Sequence, residues 1–195
     1  SHVFDLHGSL RSGIIRCGMK SPCSVFRKPR MNRFLLFYLK WNRFPSDFEM
    51  TDEFFNFMEL EEKYLTRLYI SAQEKKQCYS LLARFGVTSQ FLTLVPGAAW
   101  PNKIWTADGY RQLVGLMSEH QVVILGGADN TICDEISSEC ENIVNLCGKT
   151  DLRTSMAILS LASLSVGSDT GLIHAAEALG TPVVMITGPT SRETG

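Results

Sequence analysis

From Phe91 onward, short apolar runs alternate with helix-period segments, and this alternation limits the possible folds more than any other feature of the chain. The apolar runs fall at residues 91–95, 122–125, 143–146, 164–166 and 182–186. Segments with helical spacing lie between them, at 106–118, 130–140, 151–162 and 170–179. Five strands separated by four helices predict an α/β unit with a parallel, doubly wound sheet, because parallel neighbours need a crossover and a helix supplies it. In such sheets ligands bind beyond the carboxyl ends of the strands, where loops run into helix N-termini. The loops to inspect are therefore 96–105, 126–130, 148–151, 167–171 and 188–190.

The residues before Phe91 read less sharply. Strands are expected at 3–6 and 24–27, with a helix from the Gly8-Ser9 turn to about Cys17. Residues 31–41 are aromatic and basic and read either as a helix or as a surface loop. Residues 47–60 carry Phe48, Phe54, Phe55 and Phe57 in an acidic, partly buried helix. The clearest helix here is 71–85: Ser71 can cap it, Glu74 completes a capping box, and Gly86 suits its C-terminal end. The change of texture after Gly86 predicts two units, 1–88 and 89–195. The chain opens inside a strand and stops in the loop Gly188-Pro189-Thr190, so we expect the first unit to be incomplete at its start and the second cut at its end.

Composition narrows the classes. A net charge of -1 over 195 residues argues against a general nucleic-acid binder. The charge is uneven, however: residues 1–45 hold nine Lys or Arg against the single acid Asp5, followed by an acidic stretch at 47–62. That asymmetry fits an anionic partner or a membrane surface as well as a plain solvated basic face. The six cysteines form no CxxC pair and no ligand spacing with histidine, which predicts no metal centre and a reduced, cytoplasmic compartment. Cys133, Cys140 and Cys147 recur every seven residues, but the last lies beyond a predicted strand, so they share no helix face. No run approaches the roughly 18 apolar residues of a membrane span.

Three loops carry the candidate chemistry. In Gly167-Ser168-Asp169-Thr170-Gly171-Leu172-Ile173-His174 a strand ends and a helix begins, with Asp169 expected at the N-cap. The amides of the first turn and the positive end of the helix dipole suit a phosphate. Gly171 permits close backbone approach, and Thr170 adds a hydroxyl. Taken alone, Asp169 equally well caps a helix and His174 packs. The loop Pro96-Gly97-Ala98-Ala99-Trp100-Pro101-Asn102-Lys103-Ile104-Trp105 offers amides and a lysine to a diphosphate, though it is not a Walker loop and Lys103 alone reads as a surface lysine. Asp129, in Gly126-Gly127-Ala128-Asp129, suits ribose hydroxyls, and alone reads as a helix cap. No GxGxxG occurs, which disfavours a dinucleotide-dependent oxidoreductase.

Together and in this order, these motifs resemble the ADP-heptose:lipopolysaccharide heptosyltransferases, glycosyltransferase family 9. The opening Asp5-Leu6-His7-Gly8-Ser9-Leu10-Arg11-Ser12 resembles the family's first lobe, and the likeness is loose between Pro22 and Ser89. The resemblance implies a GT-B enzyme of two Rossmann-like lobes, with an inverting displacement at the anomeric carbon of a nucleotide sugar. It places Lys103 on the donor phosphates, Asp129 on the ribose, and Asp169, Thr170, Gly171 and His174 around the diphosphate. Gly97, Ala98 and Ala99 would contribute backbone amides only, where some relatives carry two hydroxyl side chains. It implies no metal and no cofactor beyond the donor, such as ADP-heptose. It also implies a catalytic aspartate upstream of Ser1, so that residues 1–195 alone would be inactive. The anionic glycolipid acceptor would meet basic residues such as Arg11, Arg27 and Lys28, at a cytoplasmic or peripheral membrane location. The other readings are a further GT-B enzyme such as a nucleotide-sugar epimerase, and a non-catalytic sugar-nucleotide-binding lobe.

Overall fold

The computed structural model describes residues 2–61, 66–128, 131–138 and 140–188. The chain divides into two compact units, made by the described residues of Ser1–Tyr64 and of Leu65–Pro189. This division falls upstream of the change of texture at Gly86.

In the first unit, strands β1 (Val3–Asp5) and β2 (Cys23–Val25) pair in parallel. Helix α1 (Leu10–Cys17) is the crossover between them. Its start is built by side chains: Ser9 accepts from the Ser12 amide, and Asp5 accepts from the amides of His7 and Gly8 at 3.0 and 2.9 Å. Those bonds, Gly8 foremost, hold the Asp5 carboxyl below its ordinary range, with Arg16 3.2 Å away. Gly8 makes this turn at φ +58°, which an L side chain rarely adopts. Helices α2 (Arg30–Leu39) and α3 (Met50–Phe57) follow, so the 31–41 segment is a helix. Phe26 meets the half-buried Phe54 and Phe57 edge-on at 4.9 and 5.5 Å, and the buried apolar side chains described in this unit are Phe26, Phe44 and Met50.

The second unit begins with α4 (Ala72–Arg84), where the Ser71–Glu74 capping box is formed in both directions. It continues as β3 (Phe91–Val95), α5 (Ala107–Leu116), β4 (Gln121–Ile124), α6 (Thr131–Ser137), β5 (Ile143–Asn145), α7 (Leu152–Leu159), β6 (Leu164–Ser168), α8 (Gly171–Ala178) and β7 (Val183–Ile186). The five strands are parallel in the order β5-β4-β3-β6-β7. A parallel sheet is covered on both faces, which is why its strands read as continuous apolar runs. One face packs Cys78 and Leu82 of α4, Ile158 of α7 and Ile173 of α8; the other packs Tyr110 and Val114 of α5 and Cys133 and Ile136 of α6. The predicted doubly wound sheet is therefore present. Helix α4, assigned from sequence to the first unit, packs in this core. Cys133 and Cys147, which the sequence left unpaired, are joined as a disulfide between α6 and the end of β5.

Arg153 at the start of α7 ties this unit to its own first residues, reaching Glu74 at 2.6 Å and the Tyr69 carbonyl at 3.2 Å. The Ser71 hydroxyl and amide, aided by Arg153, lower the Glu74 pKa from 4.5 to about 2. A carboxylate that ionises more readily in the folded chain stabilises it above the unfolded pKa and loses that contribution as pH falls through the folded one. Denaturation midpoints of the wild type and Glu74→Gln should therefore differ above about pH 4.5 and converge as pH falls towards 2.

Candidate functional site

Three loops at the carboxyl ends of β3, β4 and β6 enclose an open cleft of about 630 Å³, all of it within the second unit. Its walls include Gly97, Ala98, Ala99, Trp100 and Lys103 after β3, Gly126 and Gly127 after β4, and Asp169, Thr170, Gly171 and His174 after β6. Every site residue predicted from the β3 and β6 loops thus lies in one place. Asp129 lies outside the described residues, as do Pro189 and Thr190.

The geometry follows from local chemistry. Pro101 opens a 3-10 turn, Pro101–Lys103, in which the Lys103 amide donates to the Trp100 carbonyl at 2.9 Å. That turn aims the lysine across the cleft, where its Nζ donates to Asp169 Oδ2 at 2.6 Å. The other oxygen, Asp169 Oδ1, lies 3.0 Å from His174 Nε2, one helical turn further on. Lys103 and Asp169 are 21% and 16% exposed, so their charges meet where water screens them only partly. The loop after β7 runs against this turn: a Cβ on Gly188 would meet the Asn102 carbonyl at 2.8 Å and Lys103 Cα at 3.1 Å.

The N-cap differs from expectation. It is Thr170, not Asp169, because the helix begins at Gly171 and the Asp169 carboxylate is engaged by Lys103 and His174 instead. Thr170 does not cap with its side chain either; its Oγ1 is buried and, among the described residues, finds no hydrogen-bond partner. A buried hydroxyl without a partner costs about 1–3 kcal/mol, a cost that a ligand oxygen would remove. A Cβ on Gly171 would meet nothing within 4 Å, so the space over the first turn of α8 is open. Helix amides in that turn have no intrahelical acceptor.

A buried scaffold holds the β3 and β6 loops together. The fully buried Tyr110 hydroxyl lies 3.0 Å from Ser168 Oγ, which donates to the Pro96 carbonyl at 3.0 Å. Burial pushes the Tyr110 pKa up, so the phenol stays a neutral donor. Trp105, read from sequence as part of the ligand loop, packs instead over Gly109 and edge-on to Tyr110 at 5.0 Å. Trp100 takes the open side of the cleft, 67% exposed, and Leu152 and Leu172 add apolar wall. Sequence reading passed over these three; only the position of Trp100, four residues past the strand, marks it as a loop-tip side chain. Arg11, Arg27 and Lys28 belong to the first unit, Arg11 on α1 and the other two between β2 and α2.

Chemically, the cleft offers one cation, one unpartnered hydroxyl, a helix N-terminus and small residues that admit a backbone-hugging ligand, a combination suited to a diphosphate. Comparison with known proteins gives the family and the fold. The profile of glycosyltransferase family 9 (heptosyltransferase) matches residues 1–194. Lipopolysaccharide heptosyltransferase 3 of Escherichia coli K12 is 31% identical over 126 residues, which is 59% of this chain and 37% of that enzyme. The solved family 9 glycosyl transferase of Veillonella parvula superposes with a TM-score of 0.77 at 19% identity, covering 98% of this chain and 58% of the other. The E. coli ADP-heptose LPS heptosyltransferase II gives a TM-score of 0.69 at 23% identity, covering 98% and 64%. The α/β fold, of GT-B type, is common to all of these structures, and the chain spans little more than a third of the curated enzyme's length.

Proposed function

Because the chain belongs to glycosyltransferase family 9, the heptosyltransferases, we propose that its second unit binds the donor of a sugar transfer in lipopolysaccharide core assembly. The donor is ADP-heptose or a closely related nucleotide sugar, and the acceptor an anionic glycolipid. What carries the reading is the convergence of Lys103, the Thr170 hydroxyl and the α8 N-terminus on one cleft.

In this mechanism the α8 amides and Lys103 receive the diphosphate, and Thr170 Oγ1 donates to it. An acceptor hydroxyl attacks the anomeric carbon from the face opposite the diphosphate, so its configuration inverts as the bond to the diphosphate oxygen breaks. Negative charge then grows on that oxygen, and Lys103 and the helix N-terminus stabilise it where it develops. Asp169 holds Lys103 in place before the donor arrives. Asp129 takes the ribose hydroxyls. The proton leaves with a base, and we assign none among residues 1–195. The reaction needs no small molecule besides donor and acceptor. Arg11, Arg27 and Lys28 offer charge to the acceptor's phosphates from the first unit.

A thermal-shift panel of ADP-heptose, UDP-sugars and GDP-sugars tests the donor. A ligand at 100 times its Kd adds about 2.7 kcal/mol, or roughly 5–10 °C in Tm for a chain of this size. ADP-heptose should give that rise. Stabilisation by UDP-sugars alone would sink the heptose reading.

A further inference from the structure

The Cys133–Cys147 disulfide fastens together two loops that both help to wall the cleft. Cys133 stands in the first turn of α6, just after the β4 loop, and Cys147 stands just past β5, directly before Gly148. Beside the bond the two loops touch backbone to backbone. The Gly148 amide donates to the Gly126 carbonyl at 3.0 Å, and a Cβ on Gly148, whose φ is +69°, would meet Ala128 Cα at 2.8 Å. Each loop also reaches the cleft, the first through Gly126 and Gly127 and the second through Leu152, where it enters α7. The β5 end depends on such a fastening, because this strand is three residues long, half-buried throughout and at the edge of the sheet. Asn145 also ties it to α6, donating to Asp134 Oδ1 at 2.9 Å and Ser137 Oγ at 3.3 Å. Those bonds keep helix and strand together when the disulfide opens. What the opening releases is Cys147 and the Gly148 backbone that rests on Ala128.

Cys133 is fully buried and Cys147 only half-buried, so a thiol from solution meets the bond at Cys147. A small thiol such as glutathione attacks the Cys147 sulfur as its thiolate. The S–S bond breaks, and its electron pair leaves on Cys133, which takes a proton. A second thiolate attacks the outer sulfur of the mixed disulfide and releases Cys147, which is protonated in turn. One protein disulfide is thereby reduced to two thiols while two glutathiones are oxidised to glutathione disulfide, and the reverse sequence closes the bond. We infer that the pair is a redox switch on donor affinity. Closed, it holds the β4 and β5 loops as a preformed wall; opened, it lets that wall loosen, and binding must then order it. Lys103 and α8, on the β3 and β6 side of the cleft, are left as they are. The switch rests on the donor reading for its ligand alone.

The test uses the full 195-residue chain, equilibrated with glutathione disulfide or with excess glutathione. Alkylation of the denatured samples and peptide mapping should find Cys133 and Cys147 joined in the first and both alkylated in the second. Titration with ADP should show affinity roughly fivefold or more weaker in the reduced chain. Cys147→Ser should bind like the reduced chain under both conditions. Amide hydrogen exchange over 125–128 and 146–151, measured without ligand, should be about tenfold faster or more once the bond is open. Cysteines that stay unpaired in glutathione disulfide would overturn the switch. So would equal ADP affinity in the two forms, which with a lower Tm on reduction would make the bond a structural staple. ADP binding by neither form would count against the donor reading instead. The exchange rates then decide, a difference supporting the switch and equal rates overturning it.

Discussion

Lys103→Ala should weaken ADP-heptose binding by roughly 10- to 100-fold, the equivalent of the 1.5–3 kcal/mol that a hydrogen bond to a charged group contributes. Isothermal titration of the wild type and variant measures it directly. The lysine is the cation that the 3-10 turn aims at the cleft, and in the free protein its charge is matched by Asp169 at 2.6 Å. A diphosphate carries more negative charge than one carboxylate, so it competes for Nζ successfully. The fold should tolerate the loss. Asp169 keeps His174 as a neighbour at 3.0 Å, and a partly exposed pair contributes at most about 1 kcal/mol, or 2–4 °C in Tm. An unchanged affinity would remove Lys103 from the donor site. A chain that fails to fold would instead make the pair structural.

Gly167→Ala should be the most damaging single-methyl change in the second unit. Gly167 sits in β6 opposite Val95 of β3, and a Cβ there would overlap the Val95 carbonyl oxygen and meet Val95 Cβ at 2.8 Å. Backbone cannot move aside as a rotamer can, so the two central strands must separate at their carboxyl ends. Over-packing of this kind costs up to about 3 kcal/mol, and at 2–4 °C per kcal/mol Tm should fall by about 6–12 °C. The damage reaches function because Val95 leads directly into the loop that carries Lys103, and Ser168, next to Gly167, holds that loop through the Pro96 carbonyl. Donor affinity should therefore fall together with stability. Gly115→Ala is the control: a Cβ there meets nothing within 4 Å, and in a helix the change should be neutral or stabilising by a few tenths to 1 kcal/mol.

What was legible in the sequence, and what was not, divides between local and long-range physics. The strand–helix alternation after Phe91 was readable because a sheet covered on both faces makes each strand an uninterrupted apolar run; all five residues of β3 are buried. The Ser71–Glu74 box was readable because both partners lie within one turn. The N-cap of α8 was misread for the opposite reason. Asp169 has the right chemistry to cap, but Lys103, 66 residues away, and His174 take its oxygens. Nothing in a local window reports that competition. The Cys133–Cys147 bond is a further case, since a spacing of 14 residues says nothing until β5 brings the two together. Placing the unit boundary after α4 confused the first sheet strand with the first element of its unit; α4 looked separate because only Cys78 and Leu82, one helical turn apart, are buried in it. Residues 31–41 stayed ambiguous because their apolar stripe has helical spacing without the burial that usually creates it.

The proposed function rests on one placement, a donor diphosphate in the cleft between Lys103 and the start of α8. A crystal structure of the chain with ADP tests it most directly. The diphosphate should lie within hydrogen-bonding distance of the Gly171 amide, Thr170 Oγ1 and Lys103 Nζ, with the Lys103–Asp169 contact lengthened from 2.6 Å. ADP bound elsewhere, or in this cleft with Lys103 still held by Asp169 and Thr170 Oγ1 still without a partner, would contradict it.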